Sequence, residues 1–321
     1  MPRLDHPRAA TALRPLSLSQ GVLPRSDGSA QFSFGNVTVL SSVTGPVEVR
    51  IREELVDRAT FEIHVRGLRS TAGPGLKAIE DALRTTLTPL ILVALYPRSL
   101  IQLTCQTTSL PSTSYSRSFS TDPEHSNATE PRSRSAAARR GRSLVGGGQG
   151  SRAGENAARV NSAMAALIDS GIQLRGTIVA VAVAFVPSIS HDAEADDDED
   201  DDDDEEGDEL VLDPTPFEEE VASSTHVFTI GYGTEYGGRE GTVVGVESNG
   251  TFDAEQLFSA QRLALTAAQS IYGFLRKSIE AKYGVNSQGG GEQDHRETTT
   301  KGGNAGADDV GEDESEDGME E

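Results

Sequence analysis

Between Leu23 and Ile51 the chain alternates apolar with small polar residues, and the alternation breaks only at turn-forming pairs. Asp27-Gly28, Gly35-Asn36 and Gly45-Pro46 punctuate the run. Phe32 and Phe34, then Val37, Val39 and Val43, then Val47, Val49 and Ile51 keep the apolar phase. A period of two bounded by Gly, Asn and Pro means consecutive antiparallel strands, because successive side chains of a strand point to opposite faces. Glycine takes positive φ without steric cost and Asn tolerates it, so the chain can reverse at these pairs. The stretch is a β-meander, and it sets up a sheet.

The later segments extend the pattern. Phe61, Ile63 and Val65 face one side of a half-buried strand, with Thr60, Glu62 and His64 on the other, so His64 reads as a solvent-face residue. Gly73-Pro74-Gly75 starts a helix with Leu76, Ile79, Leu83, Leu87, Leu90 and Ile91 on one face, running to Tyr96-Pro97. Lys77 with Asp81 and Glu80 with Arg84 form i,i+4 pairs on its polar side. Leu100 to Thr107 reads as a strand. Glu155 to Ser170 is a second helix, stopped by Gly171. Ile178 to Val186 is a continuous apolar run, as in a strand buried on both faces. Strands at Val221 to Ile230 and Gly241 to Glu247 flank a glycine-rich turn. Asp253 with Gln256 resembles a capping box for a long last helix that ends towards Gly284. Strands then helix, twice over, predict an α+β architecture of two similar halves.

Composition matters because the charge is uneven. The segment 192–209 and the tail 284–321 carry −15 and −10 of the net −23, which leaves the remainder at +2. The folding part is near neutral, and the acidic total argues nothing against a nucleic-acid partner. Residues 110–150, rich in Arg, Ser and Gly, and the acidic residues 190–209 read as disordered insertions within a domain spanning 21–284. Residues 1–20 and 285–321 read as disordered ends. The single Cys105 excludes an internal disulfide and reads as a buried, inert thiol. No secretory signal is expected in Met1 to Ser19, and no apolar run is long enough for a bilayer. No membrane partner is expected.

Catalytic motifs are sparse. Gly148-x-Gly150-x-x-Ala153 matches a dinucleotide fingerprint formally, but it follows a low-complexity stretch instead of a strand. There is no Gly-Lys-Ser/Thr phosphate loop and no nucleophile elbow, and the six histidines are scattered without metal-ligand spacing. No cofactor and no metal are expected.

Several segments in order carry a family resemblance. Arg25-Ser-Asp-Gly28 followed by Phe34-Gly-Asn to Thr-Gly-Pro46 resembles the opening strands of the ribonuclease PH family. Glu80 to Arg98, Asn161 to Gly171, Leu210 to Thr215 and the closing helix are similar to its later elements. The resemblance implies the RNase PH-like fold (ribosomal protein S5 domain 2-like). Within the family it is nearest to the ring subunits of the eukaryotic RNA exosome. Active members cleave the 3′ end of RNA with phosphate, using a phosphate-binding arginine and two aspartates. This chain carries Asn156 at the arginine position, with Arg152 and Arg159 close by. The aspartate positions fall near Glu218 and Ser224, to within a residue or two. The resemblance therefore implies a non-catalytic scaffold subunit of the exosome core ring. Its partners would be other RNase PH-like ring subunits, RNA-binding cap subunits and RNA, in nucleus, nucleolus and cytoplasm. An active phosphorolytic 3′ exoribonuclease and a homo-oligomeric RNA-binding protein outside the exosome are the alternatives. Lys77, Arg84 and Arg98 are candidate RNA contacts, Lys77 and Arg84 being equally readable as members of helix-surface ion pairs. The Arg-rich insertion, with Arg132, Arg134, Arg139, Arg140 and Arg142, reads as unstructured filler rather than an RNA patch.

Overall fold

The computed structural model describes residues 8–68, 73–111, 152–187 and 208–284. The two insertions, apart from residues at their edges, and the tail from 285 onward lie outside the described residues, as do the first two glycines of the formal dinucleotide fingerprint. Five strands form the first sheet: β1 (Leu16–Gln20), β2 (Gly28–Phe34), β3 (Val37–Glu48), β4 (Thr60–Arg66) and β5 (Ser99–Ser109). Their order is β1-β2-β3-β5-β4, antiparallel except where β4 runs parallel to β5. Helix α1 (Pro74–Leu87) makes the crossover that this parallel pairing requires. The second sheet is antiparallel, in the order β7-β6-β8-β9. It comprises β6 (Thr177–Pro187), β7 (Asp208–Leu212), β8 (Ser224–Gly233) and β9 (Gly238–Gly250).

Helix α2 (Ala153–Asp169) packs against both sheets, and every residue from Ala153 to Leu167 is buried. Ala153, Gly154, Ala157, Ala158, Ala163, Ala165 and Ala166 keep its girth small, so backbone can approach on both sides. Asn161 donates to the Ala180 carbonyl at 3.0 Å and accepts from the Ala180 N–H at 2.8 Å, joining α2 to β6. The next residue, Ser162, meets Ser41 of β3 at 2.6 Å. Helix α4 (Ala254–Tyr283) contacts the second sheet and β1, and its far end is tied to α2 where Lys282 and Tyr283 reach Asp169.

The turn pairs of the opening meander touch one another. Asp27 accepts the Gly45 N–H at 2.7 Å. Gly35 has φ +53° in the two-residue turn between Phe34 and Val37. Gly28 is glycine for another reason. A Cβ there would lie 2.4 Å from the Ser170 amide nitrogen and 2.5 Å from the Ala166 carbonyl oxygen, where β2 crosses the end of α2.

Five expectations are corrected. The N-terminal twenty residues are not wholly disordered: Leu16–Gln20 is a strand whose Leu16 and Leu18 pair with Phe34 and Phe32. Helix α1 ends at Leu87 instead of running to Tyr96, because Pro89 brings no N–H to the ladder. Leu90 and Ile91 still reach the core, from the connection that follows. Residues Pro216–Val221 form a short helix, α3, where a strand from Val221 was expected, and β8 starts only at Ser224. Asp208 and Glu209 belong to β7, not to the acidic insertion. The ion pairs on α1 also change partners: Lys77 lies 3.7 Å from Glu80 and Arg84 lies 3.2 Å from Asp81, both at i,i+3.

Replacing Gly28 with alanine is expected to cost on the order of 3 kcal/mol, because the new methyl meets backbone atoms that cannot rotate away. Urea denaturation measures this, and an unchanged midpoint would contradict the packing described.

Candidate functional site

The first two turns of α2 hold polar residues that are more than nine-tenths buried, so most of their polar atoms must find partners inside the protein. Arg159 is 2 % exposed. It pairs with Glu155 one turn earlier and donates to the Asn156 Oδ1 at 2.5 Å and to the Thr107 Oγ1 of β5 at 3.3 Å. Thr107 in turn donates to Glu155 at 2.5 Å. Asn156 reaches across to Glu247 of β9, its amide nitrogen 3.4 Å from the carboxylate. The network therefore links both sheets through α2. Asn156, the sequence-expected successor of a phosphate-binding arginine, is one of its internal links.

A second polar group lies before α3. Asp213 has φ +51° and is 1 % exposed. Its carboxylate accepts from Arg14 three times: from the backbone N–H at 2.9 Å, from Nε at 2.8 Å and from Nη2 at 2.5 Å. Arg8 Nη2 donates to the Asp213 carbonyl at 2.7 Å. Thr215 and Glu218 then form a capping box, with the Glu218 carboxylate accepting the Thr215 N–H at 2.7 Å. That bond turns Glu218 back onto its own helix.

Glu219 takes the other direction. It is 5 % exposed and accepts the Gly154 N–H at the start of α2 at 2.7 Å. Burial pushes its carboxyl up to about 7, against the opposing pull of the Gly154 N–H and the guanidiniums of Arg152 and Arg14. Glu219, the next residue, is the carboxylate that faces the start of α2. A Thr-x-x-Glu box with proline at the first helical position was the sequence signal that assigns Glu218 to the cap.

Ser224 is buried at the start of β8, its hydroxyl 3.2 Å from His226 Nε2. His226 Nδ1 lies 2.8 Å from the Ser248 hydroxyl of β9, and the ring meets Phe252 edge-on at 4.7 Å between centroids. Burial holds the imidazole below its ordinary pKa. Cys105 is fully buried, its thiol pushed up to about 11 mainly by desolvation, which makes thiolate chemistry unfavourable at neutral pH.

The three candidate RNA contacts stand apart from these groups. Lys77 and Arg84 share α1 and are exposed, each beside its i,i+3 carboxylate. Arg98 sits at φ +59° just before β5, its guanidinium 3.4 Å from Glu54 and its N–H bonded to the Leu55 carbonyl. His64 is exposed on β4, 3.9 Å from Glu62. Among the described residues, no three His, Cys, Asp or Glu side chains are grouped to hold a metal ion, and no helix is long and apolar enough to cross a membrane.

Residues 12–173 match the model of the 3′ exoribonuclease family, RNase PH domain 1, and the chain belongs to that family. Among individual relatives, it is 28 % identical over 260 residues to the exosome complex component RRP46 of Saccharomyces cerevisiae, covering 81 % of this chain and 93 % of that protein. An exosome complex component Rrp41 from Methanopyrus kandleri is 24 % identical over 291 residues, covering 88 % of this chain and 93 % of the relative. The crystal structure of rice (Oryza sativa) Rrp46 superposes with a TM-score of 0.60 at 20 % identity, covering 85 % of this chain and 98 % of that one. The two-sheet α+β fold is therefore the RNase PH fold.

Replacing Arg159 with methionine should lower stability by about 3–5 kcal/mol, because it strands Glu155 in the interior. Adding Glu155→Gln to that variant should recover part of the loss in urea denaturation. His226 supplies a pH dependence. Burial makes it bind a proton less readily when folded, so stability should fall as pH drops through 6.5, its ordinary value, where the unfolded chain gains a proton first. Thermal melts from pH 7.5 to 5 should show a decline that His226→Phe reduces.

Proposed function

We propose that this chain is a ring subunit of an RNA exosome, of the RRP46 kind, that supports 3′-to-5′ RNA processing without catalysing it. The relatives that support this are named exosome complex components in yeast and archaea. The observation that carries the non-catalytic part is the fate of the family positions. Asn156 is absorbed into the Arg159–Glu155–Thr107 network, Glu218 caps its own helix, and Ser224 is paired with His226. With Asn156 at the arginine position and a helix-capping Glu218 at the carboxylate position, both charge stabilisation and proton handling are weakened there. On this reading, ring and cap subunits are its partners, and RNA passes the surface carrying Lys77, Arg84 and Arg98. Nucleus, nucleolus and cytoplasm are its places of work.

An active phosphorolytic exoribonuclease is the second reading, and Glu219 favours it: a carboxyl near neutrality beside Arg152 at a helix N-terminus has the ingredients of a proton-transfer site. Affinity purification of the tagged chain with mass spectrometry is expected to recover other RNase PH-like subunits. Recovery of none would refute ring membership. The purified chain, incubated with single-stranded RNA and phosphate, should release no nucleoside diphosphates. Release that is lost in Glu219→Gln but kept in Glu218→Ala would establish the enzyme instead.

A further inference from the structure

Three separate pieces of chain converge on the first turn of α2. Arg14 arrives from the segment ahead of β1, Glu219 from α3, and Pro214 from the connection after β7. A Cβ placed on Gly154 would lie 3.2 Å from Arg14 Nη2, 3.3 Å from Glu219 Oε1 and 3.5 Å from the Pro214 carbonyl oxygen. A side chain here would press on all three, so the bare backbone eases their approach. The 8–15 segment is bonded through Arg8 and Arg14 to Asp213, in the connection that leads into α3. Together these segments meet the start of α2 at Glu219, which accepts the Gly154 N–H, with Arg14 and Pro214 packed close by.

We propose that Glu219 is the catch of a proton-operated clamp: its protonated form keeps α3 and the 8–15 segment closed on the start of α2, and its ionisation favours their release. The charged groups around it are Arg14 from the N-terminal segment, Arg152 and Glu155 from α2, and Glu218 and Asp213 from its own side. Arg14 is committed to Asp213 by three hydrogen bonds, so its charge is shared between two carboxylates when Glu219 ionises. Glu155 adds repulsion. Closed, the carboxyl sits at about 7; released into water it returns to its ordinary 4.5. The closed form therefore has its full advantage below about pH 4.5 and loses it as pH rises to about 7. Release uncovers Arg152 and the free N–H groups of the first turn of α2, the element through which both sheets are joined.

Hydrogen exchange on the 321-residue chain tests this between pH 5.5 and 8.5, with rates corrected for intrinsic pH dependence. Protection of residues 8–14 and 216–221 should fall by about 10-fold or more across that range, while β2 and β3 hold theirs. Glu219→Gln, which cannot ionise, should keep its protection at pH 8.5. An equal fall in that variant, or a uniform fall over the whole molecule, overturns the clamp. Should the variant not fold, the wild-type Gly154 amide resonance decides: it should titrate with a midpoint near 7, and a resonance that stays still overturns the proposal.

Discussion

Helix α2 depends on one physical condition, which is that a helix buried on nearly every side must be thin and must leave no polar group unpaired. The alanines and Gly154 meet the first demand. Consecutive residues meet the second, since Asn161 binds β6 and Ser162 binds β3. Both sheets are thereby referenced to one rod, and its rotation and position along its axis are fixed from two directions. Buried polar groups of this sort are costly when unmatched, so they discriminate against neighbouring arrangements more sharply than apolar contacts do.

The same condition explains what became of the family's reactive positions. Arg159, buried in the second turn of α2, engages Asn156, Glu155 and Thr107. A guanidinium so enclosed serves cohesion, because its Nη donors are already engaged by Glu155, Asn156 and Thr107. Glu219 faces the start of α2, and burial there pushes its carboxyl up to about 7.

Much of the fold was legible in the sequence because it rests on local rules. The meander followed from period two and its turn pairs, and α2 from its spacing with Gly171 at φ +73° as its stop. The last helix was announced by Asp253 and Gln256, whose side chain does accept the Asp253 N–H at 2.9 Å. Errors arose where a weaker local signal was overrun by a longer pattern. Leu90 and Ile91 continued the apolar spacing of α1 through Pro89, which ends the helix while leaving both side chains in the core. Leu16 and Leu18 were too short an alternation to stand out from the arginines before them. The site was less legible, since the carboxylate pair is separated by one residue and only the capping box tells Glu218 from Glu219. Arg14 is some two hundred residues from Asp213 and Glu219 in the chain, and no spacing rule joins it to them.

The Asn161 side chain has a further effect at the margin of the second sheet. Strand β7 covers β6 only from Val183 to Pro187, which leaves the outer rim of its first half without a neighbouring strand. Ala180 lies on that rim, and its N–H and C=O are both taken by one asparagine amide. Two residues on, the Ala182 carbonyl is taken by the Asp213 N–H. A side chain and a turn thus stand in for the missing strand, satisfying the same donors and acceptors in less space. An exposed rim of this apolar composition would invite a foreign strand to add itself. Here it is closed to one, so the sheet cannot be lengthened on that side by misdirected pairing, either in the finished protein or while the chain is still folding.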